Sequence, residues 1–528
     1  MSATAGFTTF YNAYRGRFGN SAQYPSSAGG LPIPDDKRFW YVSNGFHDPT
    51  NTSSSSGQNE YSTVSFLARA LYNFKNKYYL NASFRNDASS RLPLKTRNQQ
   101  FWAVGLAWEM SREDFMQGVE QINYLKIKSS VGVLGNQTAS YDNGAPIDYP
   151  FYPLLQSGQS AVFGTNVYNA ARPVYIPSPK LRWETITAYE FGVEAIGLDN
   201  RLSFEANYFH RTTNNLMTYV NRQTLGLDNQ LINGGKILNR GTELMATWRQ
   251  DLGSDFNITV GGNITFLKNK VLELSDALPT GFLSRTFMNN GSAESRTVVG
   301  YPIGSFFGYI VEGVYQSYAD ILASPVASSL GAYRPGVLKF KDINGPDKTG
   351  PDGRITSDDR TFIGNPTPDF TYGGHITASY KGFSVGVDFN GVYGNEVFRT
   401  WGSLESPFQR VNYPKEKLGR WHGAGTSNWV PLVGQGDRFN YNGSTYNIED
   451  GSYFRLRNIQ VAYSFPASVL GRLKTRELRV FANVQNLKTF KNNIGYTPEF
   501  GGDATAFGYD NAGGAIPVVT TFGLNVTF

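Results

Sequence analysis

The sequence has 528 residues, of which 15% are aromatic, 17% are charged, 57 are Gly and none is Cys, and its formal net charge is +6. The absence of cysteine excludes disulfides and thiolate metal sites, and the modest, scattered positive charge gives no support to nucleic-acid binding. No run of about 18 apolar residues is present, which excludes a helical membrane protein.

The negative mean hydropathy is instead typical of a β-barrel wall, in which every second residue faces water.

The first sixty residues carry little periodic pattern. Residues 1–7 lack the basic stretch and apolar core of a secretory signal; if the protein lies in an outer membrane, we therefore expect a mature form, a fragment or an incomplete start. Residues 7–18 are long enough for one strand, and the Ser-rich residues 51–57 predict a loop. We therefore expect residues 1–60 to be an irregular segment with an extracellular loop and one strand, and residues 61–528 to form the barrel.

Alternation of apolar and polar residues is strong from Val64 onward and recurs in runs of about ten residues. Short polar turns alternate with long irregular stretches at 135–179, 270–300, 316–368, 394–450 and 487–516, as expected of the two rims of an outer-membrane barrel. We predict roughly fourteen to sixteen strands by this pattern. The runs are Val64 to Tyr72, Tyr78 to Phe84, Trp102 to Trp108, Leu125 to Val133, Thr185 to Ile196, Leu202 to Tyr208, Thr242 to Trp248, Phe256 to Phe266, Phe370 to Tyr380, Phe383 to Tyr393, Ser452 to Phe465, Leu478 to Gln485 and Val518 to Phe528.

The last run ends the sequence on an apolar strand. Phe522, Leu524, Val526 and Phe528 share one face, and polar residues alternate with them. A soluble all-β protein, such as a sandwich or a propeller, would also alternate. The length of the strands and the aromatic residues near their ends favour the membrane barrel, because aromatic girdles lie at both membrane interfaces.

Several motifs, taken in order, resemble the SusC/RagA-type TonB-dependent outer-membrane transporters. Each is weak alone, and together they extend over roughly residues 60–528. The motifs are Arg85 to Arg91, Leu125 to Gln137, Leu181 to Glu184, Asn239 to Leu244, Val299 to Gly308, Asp342 to Gly345, Ile363 to Phe370, Asp450 to Asn458 and Asn483 to Leu487.

The resemblance implies an all-β fold, namely a transmembrane antiparallel barrel in the outer membrane of a Gram-negative bacterium. Members of this family have a 22-strand barrel, a plug domain, a TonB-contacting segment and a signal peptide. We expect this sequence to be the C-terminal part of such a barrel, without the plug. The strand at residues 518–528 should then form an unpaired edge, or the barrel should close with fewer strands.

The resemblance also implies TonB-dependent uptake of an oligomeric nutrient, either a glycan or a peptide. It implies three partners besides the substrate: a SusD-like surface lipoprotein, the TonB complex reached through the missing N-terminal region, and outer-membrane lipid. Two alternatives stay open. One is a passive porin, and the other is a surface adhesin or another extracellular β-rich protein.

No catalytic set emerges from the sequence, so we expect no enzymatic activity. The four histidines, His47, His210, His375 and His422, are far apart and lack the neighbouring Ser or Cys of a recognisable motif. We interpret them as loop or wall residues, because nothing supplies the partners that acid–base catalysis needs.

One segment resembles a calcium-binding loop. Asp352 and Asp359 match positions 5 and 12 of such a loop, and Asp342 and Asn344 would occupy positions 1 and 3 if residues 346–351 are an insertion. Hard oxygen ligands suit Ca²⁺. The alternative is a polar turn in which the Asp and Asn side chains bond the backbone.

The long loops are rich in aromatic side chains, which suit stacking on sugars or peptides. The alternative is that these rings only pack the loops together. The set comprises Tyr168, Tyr175, Trp401, Phe408, Trp421, Trp429, Tyr441 and Tyr446.

Overall fold

The computed structural model describes residues 1–23, 36–39, 47–140, 146–220, 227, 230–278, 283–286, 294–331, 333–401, 413–433, 440, 442–473 and 475–528. The strands among them are β1 (Ser2–Gln23), β2 (His47–Phe74), β3 (Tyr78–Ser89), β4 (Asn98–Glu109), β5 (Ile122–Asn136), β6 (Ala139–Ser140), β7 (Pro146–Ile147), β8 (Leu155–Phe163), β9 (Asn166–Pro173), β10 (Glu184–Gly197), β11 (Leu202–Val220), β12 (Gln230–Leu252), β13 (Phe256–Leu274), β14 (Leu283–Thr286), β15 (Glu294–Thr297), β16 (Ser305–Gly308), β17 (Val311–Val314), β18 (Leu338–Phe340), β19 (Thr361–Gly364), β20 (Phe370–Tyr380), β21 (Phe383–Tyr393), β22 (Glu396–Arg399), β23 (Ile448–Asp450), β24 (Tyr453–Ser464), β25 (Glu477–Lys491), β26 (Tyr509–Asp510) and β27 (Val519–Thr527).

Helices are few and short. The two α-helices in the described part of the chain are α1 (Tyr318–Leu322) and α2 (Ala467–Leu473). Within the described residues, no helix has the length and apolar character needed to cross a membrane. The 3₁₀ turns are Lys37–Phe39, Met110–Arg112, Asp114–Met116, Ser328–Leu330, Ser357–Asp359, Lys415–Gly419 and Thr445–Asn447.

Fourteen strands form one antiparallel sheet, which we call the wall. Its order is β1-β2-β3-β4-β5-β10-β11-β12-β13-β20-β21-β24-β25-β27, so neighbouring strands follow the chain. In β13 the residues from Phe256 to Phe266 alternate between an apolar and a polar face, and the same alternation defines two faces of the wall. This number of strands lies in the range expected from the sequence.

The two edges of the wall are β1 and β27. Each pairs with one neighbour among the described residues: β1 with β2, and β27 with β25. The prediction that the C-terminal strand forms an edge is therefore confirmed.

The prediction that residues 1–60 are irregular is wrong at both ends of this segment. Residues 2–23 form β1, which includes the single strand predicted at 7–18, and β2 already begins at His47. The Ser-rich residues 51–57 lie in β2, where Gly57 is opposite Gly16. Backbone pairing with an adjacent strand does not need apolar side chains, and this explains why the side-chain pattern missed this extension.

The long stretches predicted as irregular contain small sheets. β8 and β9 form a hairpin within 135–179. Strands β14, β15, β16 and β19 form a four-stranded sheet, and β22 lies between β23 and β26 in a three-stranded one. Most of these strands have four residues or fewer, which is too short for alternation to be recognised.

A compact core lies in the loops rather than in the wall. It contains the buried residues Val314, Tyr315, Leu338, Phe340 and Ile355. We call the described residues of 294–364 and 394–450, which carry this core, the loop domain.

Candidate functional site on the polar face and in the loop domain

The polar face of the wall carries a concave depression of about 770 Å³. Two glycines, Gly105 and Gly192, line it; a side chain at Gly105 would enter open space, whereas the side chains of Asn207 and Lys128 fill the space at Gly192. Its lining is mixed: Leu71, Tyr79 and Phe209 lie beside polar side chains, and more of the surface is apolar than polar, so it can contact both the apolar faces and the polar groups of a solute. The polar side chains are Asn73, Asn81, Lys128, Ser130, Glu190, Asn207, Arg211 and Glu243.

Ion pairs fix the side chains around this depression. Lys128 Nζ lies 2.6 Å from Glu194 Oε1 and 2.7 Å from Glu205 Oε1. Arg211 Nη2 lies 2.7 Å from Glu190 Oε1 on the neighbouring strand. These side chains are partly exposed, so each pair contributes at most about 1 kcal/mol to stability, and their main effect is to orient polar groups.

The long loop between β25 and β27 is attached to the polar face of β24 by a buried arginine. Arg455 is 1% exposed, and its Nη1 donates to Glu499 Oε2 at 2.6 Å, while its Nε donates to Thr489 Oγ1 at 2.8 Å. Tyr453 Oη donates to Glu499 Oε1 at 2.7 Å. Although burial opposes it, these hydrogen bonds lower the pKa of Glu499, so the carboxylate stays charged and holds the loop against the wall.

A second loop, the segment between β15 and β16, reaches the polar face at β13. The backbone N–H of Ile303 donates to Asn269 Oδ1 at 2.7 Å, and Asn269 Nδ2 donates to Asn239 Oδ1 at 2.7 Å. Two loops therefore fold inward over the polar face, one beside β13 and one beside β24.

A buried cluster of charges lies in the loop domain around Arg399, whose side chain is 2% exposed. Its Nε lies 2.9 Å from Glu449 Oε1, and its Nη1 lies 3.3 Å from Glu416 Oε2. Tyr446 Oη donates to Glu416, and Lys417 Nζ donates to Tyr446 Oη at 3.2 Å. Burial raises the pKa of Glu449 and of Tyr446 above their usual ranges. The cluster joins β22, β23 and the segment at 415–419 into one unit.

The predicted calcium loop is a turn in which carboxylates bond the backbone. Asp359 Oδ1 accepts from the N–H of Ile343 at 2.8 Å and of Asn344 at 3.1 Å. Asp342 Oδ2 accepts from Gly353 N at 2.7 Å, and Asp352 Oδ1 accepts from Arg354 N at 2.9 Å.

These bonds are the ones that the alternative of a polar turn describes. Among the described residues, no group of three or more His, Cys, Asp or Glu is arranged to hold a metal ion. Binding of Ca²⁺ by Asp342, Asn344, Asp352 and Asp359 stays a prediction.

The aromatic set does not converge on one place. In the loop domain Trp421 Nε1 donates to Gln316 Oε1 at 3.3 Å, and the rings of Trp429 and Tyr446 lie 5.7 Å apart. Trp401 lies under the guanidinium of Arg399, and Tyr175 is buried.

Of the members that the structure describes, two present a ring to solvent. Tyr168 on β9 is 51% exposed and Trp429 is 48% exposed. Tyr446 is 3% exposed and belongs to the core, as expected of rings that pack loops together. Phe408 and Tyr441 lie outside the described residues.

The histidines are dispersed, as the sequence indicated. His375 lies on β20 opposite Asp388, His422 Nδ1 lies 3.1 Å from the carbonyl oxygen of Arg420, and His210 lies on the apolar face of β11. His47 begins β2.

Sequence reasoning missed the buried charges. Arg455 lies in the motif at 450–458, where alternation places Tyr453 and Arg455 on the polar face, so a signal existed. The sequence around Arg399 and Glu499 gave no indication that they form buried ion pairs, because their partners are distant in sequence.

Comparison with known proteins identifies the family. Residues 2–487 match the family described as TonB dependent receptor-like, beta-barrel. "TonB-dependent receptor P3" of Formosa agariphila is 30% identical over 492 residues, which are 90% of this chain and 46% of that protein. "TonB-dependent receptor SusC" of Bacteroides thetaiotaomicron is 24% identical over 446 residues, which are 83% of this chain and 41% of that protein.

The fold is also found among solved structures. The RagAB peptide transporter superposes with a TM-score of 0.78 at 22% identity, over 100% of this chain and 53% of that chain. The chain spans about half the length of the curated relatives it matches. The wall is thus a β-barrel wall of the outer membrane, with its apolar face toward lipid and its polar face toward the lumen. The chain belongs to the TonB-dependent receptor family, in whose β-barrel domain it lies.

Proposed function

We propose that this chain forms the wall and the external loop domain of a TonB-dependent importer of an oligomeric nutrient, either a glycan or a peptide. In this proposal a SusD-like surface lipoprotein closes over the loop domain. The TonB complex supplies energy through a segment outside these 528 residues. The proposal assigns no enzymatic reaction to the chain.

The observation that carries the proposal is the inward attachment of loops to the polar face. The bonds from Arg455 and Tyr453 to Glu499 fix one loop against the lumen side of β24, and Asn269 fixes another at β13. A passive porin needs a lumen that stays open, whereas a gated importer needs folded loops that bind a solute before it enters. This favours the importer.

Two observations support an oligomeric substrate. The depression on the polar face combines amide, hydroxyl and charged groups, which hydrogen-bond to sugars and to peptide backbones alike, with apolar and aromatic surface that can contact the less polar faces of either. The exposed rings of Tyr168 and Trp429 offer flat faces for stacking. Kinship with SusC and the likeness in fold to the RagAB peptide transporter agree with either substrate class.

The test is uptake by the native bacterium. A strain lacking the gene should lose uptake of one class of labelled oligosaccharide or peptide, and loss of TonB should have the same effect. The intact protein should co-purify with a surface lipoprotein. Uptake that persists without TonB, together with large steady currents from the purified protein in planar bilayers, would support a porin and contradict the proposal.

A further inference from the structure

We infer that a row of basic residues on the lipid-facing side of the wall binds a phosphate-bearing lipid headgroup of the outer leaflet. His210 on β11 lies directly opposite Arg240 on β12, and Arg240 lies directly opposite Lys268 on β13. Lys270 follows two residues later on the same face. We call these four residues the basic row.

The pairing places the basic row on the apolar face. Thr242 lies opposite Phe266 and Leu244 lies opposite Ile264, so the residues just below the row face lipid. Opposed residues in an antiparallel pair share a face, and residues two apart on a strand do too. Lys268 is therefore a continuation of the lipid-facing stripe that ends at Phe266.

The height of the row corresponds to the headgroup layer. The stripe from Phe256 to Phe266 rises about 34 Å along the strand, which a tilt of about 40° reduces to roughly 25 Å, the height of the apolar band of such barrels. Phe256 and Phe266 thus lie near the two aromatic girdles. Lys268 and Lys270 extend about 5 and 10 Å beyond the upper girdle, on the side of the long loops.

The charges of Arg240, Lys268 and Lys270 have no carboxylate partner among the described residues. Like charges directly opposite each other on adjacent strands are destabilising. In the part of the chain that the structure describes, no carboxylate lies within ion-pair distance of Arg240, Lys268 or Lys270, whereas Lys128 and Arg211 on the polar face have carboxylate partners. An anion from the surroundings would remove the repulsion between Arg240 and Lys268.

The shape of the row fits a lipid rather than a free anion. Adjacent strands lie about 4.8 Å apart, so the three opposed side chains extend over about 10 Å, enough for a headgroup with two phosphates. The acyl chains would lie on the apolar stripe below. Tyr189 packs edge-on against His210, with ring centroids 6.2 Å apart, and bounds the row on the β10 side. Basic clusters at this level of a membrane bind anionic headgroups.

The test is lipid binding by the full gene product in neutral detergent, measured by native mass spectrometry with diphosphoryl lipid A as the probe. Each cation near a membrane surface strengthens anionic lipid binding about fivefold, so the triple variant Arg240→Gln, Lys268→Gln, Lys270→Gln should bind about 100-fold more weakly. The double variant Lys268→Gln, Lys270→Gln, in which two exposed charges are removed, should lose about 25-fold. Lys381→Gln, in a turn at the opposite rim, is the matched control and should bind like the parent.

Two further arms separate a lipid from free phosphate. Lipid A from which both phosphates have been removed should bind parent and triple variant equally, and millimolar inorganic phosphate should not displace the diphosphoryl form. Equal binding of diphosphoryl lipid A by the parent and the triple variant would overturn the inference, as would complete displacement by inorganic phosphate.

Discussion

Arg455 on β24 and Glu499 in the following long loop lie 44 residues apart in sequence, yet Nη1 of Arg455 is 2.6 Å from Oε2 of Glu499. The arginine is almost fully buried, while the side chain of Glu499 is about one-third exposed. The pair joins a strand of the wall to a loop that folds toward the lumen.

Replacing Glu499 with Gln should loosen this loop without unfolding the wall. Hydrogen bonds to charged groups contribute about 2 kcal/mol, so local opening of residues 492–517 should become about 30-fold more frequent. Hydrogen exchange of the backbone amides in that segment measures the effect. Amides of β24 and β25, which pair with each other, should keep their protection and serve as the internal control. Unchanged exchange in the loop would contradict this role of the pair.

Replacing Gly241, which lies opposite a buried ring, with alanine should destabilise the fold. Gly241 lies directly opposite Phe209, and a Cβ added there would collide with the carbonyl oxygen of Phe266 and the Phe209 ring. Gly241→Ala should therefore lower the free energy of unfolding by about 1–3 kcal/mol. Gly105→Ala is the matched control, because its Cβ would have no heavy atom closer than 3.8 Å. Urea titration in detergent compares the two variants.

The turn between β4 and β5 should respond to acid through Glu113. Hydrogen bonds from Tyr78 at 2.6 Å, Lys77 at 2.9 Å and Trp108 at 3.0 Å lower the pKa of Glu113 from 4.5 to about 2. Because the folded-state pKa lies below the ordinary value, the carboxylate stabilises the turn above pH 4.5, and this contribution is lost as pH falls from 4.5 to about 2.

Fluorescence of Trp108 reports this change directly, since its indole N–H donates to Glu113. The parent should show a transition with a midpoint near pH 2, and Glu113→Gln should abolish it. A transition that survives in the variant would assign the titration to another group.

Asp359 should stabilise its turn whether or not an ion binds there. It is fully buried and accepts from three backbone N–H groups, those of Ile343, Asn344 and Thr356. Asp359→Ala should cost about 2–3 kcal/mol, because these donors lose a charged acceptor. The loss should appear in thermal unfolding with a chelator present, and Asp358→Ala removes a neighbouring carboxylate as the control.

Separate samples without chelator, the parent and Asp352→Ala, test the predicted calcium site. Calorimetric titration of the parent with Ca²⁺ should release or absorb heat if Asp342, Asn344, Asp352 and Asp359 bind the ion. No heat, together with no change in Asp352→Ala, would leave the polar turn as the whole explanation.

The wall was predictable from the sequence because its signal is local. Alternation from Phe256 to Phe266 follows from one face toward lipid and one toward water, and the turn at Lys381 and Gly382 separates two such runs. Both turn residues have positive φ, 45° and 86°, as tight hairpins require. The family resemblance supplied what alternation could not, namely that the sheet belongs to the barrel of a TonB-dependent receptor.

The loop domain was not predictable in this way. Its strands are short, and its core residues Tyr315, Leu338 and Ile355 come from separate segments that meet only in three dimensions. The same holds for Arg399, which pairs with Glu416 and Glu449. Their pairing offsets the free-energy cost of burying the charges. No local period reports such contacts.

The strict chain order of the wall lets the length of its loops vary without changing which strands pair. β13 and β20 are adjacent although residues 275–369 lie between them. The entropy of closing a loop grows only with the logarithm of its length, and each doubling costs about 0.6 kcal/mol. Loops can therefore lengthen or shorten without a shift in strand register, so the surface that they form can change while the wall stays the same.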